Sequence, residues 1–187
     1  LNCRYQLNLE IVLEKQRILL VTINETLNFM GDEYCSNLNK IFSSNIFPWY
    51  YNNHVAGEGN DGKEFFFTHI IFDHIEKKVN SEKAFELIKP LLDKLKLSVE
   101  KLKRIKLNFY TNQGKFIKHD FHTDFDEPHT TFMYSLNTTD GFFELEDGTK
   151  SLDVADKLIE FDGLIRHRGT TTLNKFYRMN LVINYEK

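Results

Sequence analysis

Cysteine is scarce: Cys3 and Cys35 are the only two in 187 residues, and no C-x-x-C occurs. That excludes a disulfide framework and a zinc or thiol-redox motif, and it predicts a reducing, cytoplasmic setting. A surplus of one charge is missing too. With 24 basic and 27 acidic residues the net charge is -3, which offers no electrostatic capture of nucleic acid or of an anionic membrane. Long hydrophobic runs are also lacking. The most apolar N-terminal stretch, Ile18-Leu19-Leu20-Val21-Thr22-Ile23, is far too short to span a bilayer, and no signal-peptide pattern precedes it. Without a repeat, low-complexity tract or charged linker, residues 1–187 read as one domain.

The chemistry concentrates in Lys118-His119-Asp120-Phe121-His122-Thr123-Asp124-Phe125. On an extended strand, residues i and i+2 leave the same face roughly 7 Å apart, so His122 and Asp124 can converge on a metal ion while Thr123 turns away. An H-x-D triplet alone says little, since a polar strand residue facing solvent looks the same. Order and context add weight. His167 follows the apolar run Leu158 to Phe161, and eleven residues later Arg178 enters a second apolar run, Met179 to Ile183, where an unpaired cation is costly. Two histidines and a carboxylate with other positions open suit a non-haem Fe(II) site. A buried arginine would supply a counter-charge for an organic acid.

The surrounding pattern predicts strands over Tyr5 to Leu13 and Arg17 to Ile23, a helix over Asp32 to Phe42, and a loop, the best lid, over Asn52 to Lys63. A core strand over Glu64 to Phe72 and a helix starting after Ser81, kinked or divided at Pro90, come next. From Arg104 onward short strands alternate with turns: Ile105–Tyr110, Phe116–Asp124, Thr131–Leu136, Phe142–Leu145, Lys157–Phe161 and Tyr177–Tyr185. That rhythm predicts a mainly β, double-stranded β-helix (jelly-roll, cupin-like) core over residues 104–187, with residues 1–103 as N-terminal strands and supporting helices. Strand parity turns Met133, Ser135, Lys106 and Asn108 toward the pocket and Phe132, Tyr134 and Leu136 away. The basic run Lys101 to Lys106 reads as a solvated helix end, His54, His69 and His74 as structural, His119 as structural or supporting, and His129 as solvent-facing.

His122-Thr123-Asp124, His167 and Arg178, in that order and spacing, resemble the signature of the Fe(II)/2-oxoglutarate-dependent dioxygenases. Within that superfamily the region from Arg104 to Tyr185 is most similar to the prolyl-4-hydroxylase-like branch, through Phe47-Pro48-Trp49-Tyr50-Tyr51, Met133 to Asn137 and Gly141-Phe142-Phe143. The resemblance implies a hydroxylase that uses Fe(II), 2-oxoglutarate and O₂, with ascorbate as an optional reductant. It implies His122, Asp124 and His167 as catalytic metal ligands and Arg178 as the receiver of the far carboxylate of 2-oxoglutarate. Tyr110 matches a tyrosine that often touches the same cosubstrate, Asn180 shares the inward face of Arg178, and Ser135 stands where many relatives carry a tyrosine. Asp124 argues against halogenation, whose enzymes lack that ligand. The implied substrate is a polypeptide residue, above all proline, or a small molecule. A cupin-like metal-binding protein or isomerase is the alternative, though it has no need of Arg178; a nucleic-acid demethylase would carry a second arginine where this chain has Asn184.

Overall fold

The computed structural model describes residues 23–55 and 64–187. The strands expected over Tyr5–Leu13 and Arg17–Ile23 (Ile23 excepted) and the expected lid beyond Val55 lie outside them. In chain order the elements are β1 (Asn24–Thr26), α1 (Asp32–Phe42), β2 (Tyr50–Asn52), β3 (Phe66–Asp73), β4 (Lys78–Val79), α2 (Glu82–Leu95), a 3₁₀ turn (Val99–Lys101) and β5 (Leu102–Thr111). The remainder is strand: β6 (His129–Ser135), β7 (Phe142–Leu145), β8 (Lys150–Leu152), β9 (Lys157–Asp162), β10 (His167–Arg168) and β11 (Tyr177–Glu186).

Two antiparallel sheets result, as the turn rhythm predicts. The larger runs β1-β9-β6-β11-β5-β3-β2, with β4 attached to β3; the smaller runs β10-β7-β8. Strand alternation sorts the large sheet into two faces. On β11, Met179, Leu181 and Ile183 join Leu38 and Phe42 of α1, and Ile88 and Leu91 of α2, in the main apolar core. The inward residues Arg178, Asn180 and Val182 instead line a cavity between the sheets. Parity holds on β6 as well, with Met133 facing the cavity and Phe132 and Tyr134 in the helix-covered core.

Helix α2 runs unbroken through Pro90. The proline sits on the exposed face, so the carbonyl it deprives of a partner lies on the solvent side, where water can serve it. The segment before α1 is tied to the barrel by Asp156, whose carboxylate accepts from the backbone N–H groups of Met30 and Gly31 and from the Tyr134 hydroxyl. Trp49 packs on Phe47 and Phe109 and donates to the Phe42 carbonyl, whereas Tyr50 and Tyr51 stay exposed on the edge strand β2.

His129 departs from its solvent-facing expectation and is fully buried. Its Nδ1 lies 2.8 Å from the Glu127 carbonyl, and its ring occupies the space a side chain at Gly163 would need, with Nε2 only 2.0 Å from a Cβ built there. Overpacking of this kind costs about 1–3 kcal/mol. Gly163→Ala should therefore lower stability by that order in urea unfolding, and a second change, His129→Ala, should recover part of the loss. An unchanged midpoint in the single variant would refute the contact.

Candidate metal centre

Ile117 to His122 forms an irregular fourth strand of the small sheet rather than the regular strand expected over Phe116–Asp124. Bridges pair Lys118 with Thr170 and His122 with His167. Four steps along one chain thus face three along the other, which is the signature of a bulge. Its consequence is visible in the side chains. Phe121 turns outward under the Arg168 guanidinium, 4.1 Å away, while His119 and His122 are both turned toward the interior, His119 stacking on Tyr110.

His122 and His167 exchange backbone hydrogen bonds of 3.0 and 2.9 Å, so they are directly opposed across the strands, with ring centroids 4.8 Å apart. Asp124 completes the group, and one ligand atom from each of the three residues lies within 4.8 Å of the others. Nδ1 of His122 faces the Asp120 carbonyl at 3.2 Å and Nδ1 of His167 faces the Ile165 carbonyl at 2.9 Å. A carbonyl only accepts, so each Nδ1 carries the proton and each Nε2 keeps a free lone pair for a metal. Burial keeps both rings neutral: it drives His167 down to about 4 against the pull of Asp124, and it lowers His122 likewise.

Burial alone would raise the Asp124 carboxyl, but Arg104, Lys106 and His167 outweigh it and hold the group well below the usual carboxylate range. One oxygen accepts from Arg104 Nη2 at 2.5 Å and the other from Asn184 Nδ2 at 2.9 Å. Two neutral imidazoles and an ionised carboxylate, oriented by their neighbours, are a donor set that fits a divalent first-row metal.

Arg178 lies in the same cavity, 1% exposed, and makes a buried ion pair with Asp153. Nε and Nη2 donate to the two Asp153 oxygens and Nη1 donates to the Thr170 carbonyl at 3.2 Å. Asp153 and Thr170 take three of its five N–H groups, and the other two, one on each terminal nitrogen, lie toward the Tyr110 hydroxyl, where a further carboxylate could be shared between the two residues. The Tyr110 ring lies 5.1 Å from the guanidinium carbon; burial pushes its hydroxyl up to about 12, with Arg178 opposing, so it stays a donor. Gly141 and Gly169 leave room here, since a Cβ at Gly141 would stand 2.7 Å from Arg178 Cδ and one at Gly169 3.0 Å from Nη1.

Asn180 lines the cavity and accepts from Asn108 Nδ2 at 3.0 Å, and Asn108 Oδ1 is buried without a partner among the described residues. Ser135 is buried and donates to Asp153 at 3.3 Å, so it backs the Arg178 pair. His119, fully buried, has Nδ1 3.1 Å from Glu64 and is not one of the three grouped ligand residues. Arg166 and Arg168 turn outward to Glu146 and Glu144.

The basic run Lys101–Lys106 is a correction. It is not a helix end: a 3₁₀ turn closes at Lys101 and β5 begins at Leu102, which sends Arg104 and Lys106 inward beside Asp124. Alternation of Arg104, Lys106, Asn108 and Tyr110 with apolar residues was the signal available in the sequence.

No protein-family profile matches the chain, and no curated protein is similar to it in sequence. Solved structures do match. A 2OG-Fe(II) oxygenase family oxidoreductase from Burkholderia pseudomallei aligns at 13% identity and a TM-score of 0.64, over 91% of this chain and 88% of that one. A prolyl hydroxylase from Trichoplax adhaerens, in complex with a hypoxia inducible factor peptide, aligns at 14% identity and TM-score 0.58, over 97% and 92%. A prolyl-4-hydroxylase from Pseudomonas putida gives 14% and 0.54, over 92% and 96%. The chain has the double-stranded β-helix fold of these proteins, and the likeness extends well before Arg104.

Proposed function

We propose that this chain is an Fe(II)- and 2-oxoglutarate-dependent oxygenase of the hydroxylase type. The observation that supports it most is the convergence of His122, Asp124 and His167 in one cavity with Arg178, whose remaining N–H groups suit a carboxylate. Bound Fe(II), with 2-oxoglutarate and O₂, supplies an oxidant able to remove hydrogen from an unactivated carbon, with succinate and CO₂ as coproducts. The chain's own residues bind and orient. His122 and His167 each present Nε2, because the Asp120 and Ile165 carbonyls hold the Nδ1 protons. Arg104 and Asn184 hold the Asp124 carboxylate ionised and fixed in direction.

Arg178 and the protonated Tyr110 hydroxyl receive the far carboxylate of 2-oxoglutarate. Asn180 and Asn108, joined by their side-chain amides, line the way between that end and the metal ligands. Phe143, Phe161, Met133 and Val182 form the apolar wall that limits water. A buried free thiol, Cys35, suits the reducing compartment in which Fe(II) persists. No helix among the described residues is long and apolar enough to cross a membrane.

The polypeptide substrate implied by the prolyl-hydroxylase resemblance and a free small molecule are the two classes to separate. Neither metal storage nor a cupin-like isomerase reaction that takes no 2-oxoglutarate gives a use for the Arg178 and Tyr110 end of the cavity. Purified protein with Fe(II) and ascorbate should release succinate from 2-oxoglutarate slowly without substrate and faster with it. Chelation should stop both. Absence of any Fe(II)-dependent succinate above a heat-treated control refutes the oxygenase reading.

A further inference from the structure

Lys106 sits on the inward face of β5 opposite Val182 and lines the cavity with His122, Asp124 and His167. Its charge is felt by His122, Asp124 and His167. Among the described residues no hydrogen bond or ion pair reaches its amine. The neighbouring cations are matched: Arg178, in the same cavity, pairs with Asp153, and Arg104, behind Asp124, pairs with that carboxylate.

An ammonium half-buried in the cavity wall, with three donors and no side-chain acceptor, is poorly compensated, and a ligand that brings an anion improves its position. Given the oxygenase reading, on which this step rests, 2-oxoglutarate does not supply it. Its two negative charges are balanced by a divalent metal, and its far carboxylate goes to the Arg178 end. Lys106 lies four residues from Tyr110 along β5, about 13 Å by strand rise, and so belongs to the opposite end of the cavity.

We infer that the primary substrate is a small carboxylic acid, such as a free amino acid, whose carboxylate is held by Lys106 beside the metal. The anchor is inside the barrel and next to the metal ligands, so the charged group and the oxidised carbon lie within a few bonds of each other. A free acid meets that requirement in its smallest form. The main-chain amides around a proline in a polypeptide offer no anion there.

The test is calorimetry on protein loaded with Zn(II) and 2-oxoglutarate, which binds without turning over. Free amino acids and short-chain monocarboxylic acids, each matched with its primary amide, are titrated into wild type, Lys106→Met and Lys106→Arg. At least one acid should bind wild type tenfold or more tighter than its amide; the preference should vanish in Lys106→Met and partly return in Lys106→Arg. Affinity for 2-oxoglutarate should stay within about twofold in Lys106→Met, because that ligand's charges are met elsewhere. Three results overturn the inference: a tenfold loss of 2-oxoglutarate affinity in Lys106→Met, no acid preference that depends on Lys106, or succinate release stimulated by proline peptides and by no free acid. Wild type that binds Zn(II) but no 2-oxoglutarate sinks the oxygenase reading instead, and the acid and amide comparison on the zinc-only protein still reads Lys106.

Discussion

Arg178→Ala is expected to lower folding stability by about 3–5 kcal/mol and to weaken 2-oxoglutarate binding at least tenfold. The two losses have separate origins. Asp153 is 2% exposed, and its side chain is held by Arg178 and Ser135. Truncating the arginine leaves that carboxylate buried without its cation, the situation in which a buried pair is most costly to break. The cosubstrate effect comes from the two N–H groups that Asp153 and Thr170 do not use.

A double-mutant cycle separates them. Adding Asp153→Asn to Arg178→Ala should restore much of the stability, because the amide has no charge to strand. It should restore none of the affinity. Urea unfolding of the four proteins, with calorimetry of 2-oxoglutarate on the Zn(II) form, reads both quantities. A stable Arg178→Ala variant with unchanged cosubstrate affinity would remove this residue from the site and from the stability argument together.

The second large effect concerns the metal. Asp124→Asn, His122→Ala and His167→Ala should each reduce Zn(II) or Mn(II) affinity by more than the roughly 10–100-fold seen when only an outer partner of a metal ligand is lost. Asn is the sharper probe, since it keeps the shape while removing the charge, and its single oxygen can still accept from either Arg104 or Asn184. His119→Ala is the comparison. That ring is fully buried near Tyr110 and bonded to Glu64, so its loss should alter packing and leave metal stoichiometry at one. Equal metal affinity in Asp124→Asn and wild type, or loss of metal in His119→Ala alone, would mean that the wrong residues have been grouped.

Much of this site is legible along the chain because its pieces are local. The alternation on Met179 to Ile183 announces a strand with one face in the core, and that parity is enough to turn Arg178 and Asn180 the other way. The helix over Asp32–Phe42 coincides with its apolar spacing and acidic first turn, and β7 coincides with Phe142–Leu145. These features depend on neighbours within a turn or two, and a sequence lists neighbours.

What tertiary structure alone decides is which distant charges and faces meet. The pairing of Arg178 with Asp153 joins a strand to a loop across 25 positions. Arg104 reaches Asp124 only because β5 and β11 place it beside Asn184. Strand parity already turns Lys106 inward, but only the fold brings it and Arg104 beside Asp124. His129 looks solvated until Gly163 opens a space for its ring. The bulge between Lys118 and His122 cannot be read from one strand, because it is a count of residues against a partner. Burial of a charge is stable only against a partner, and the partner is set by the fold.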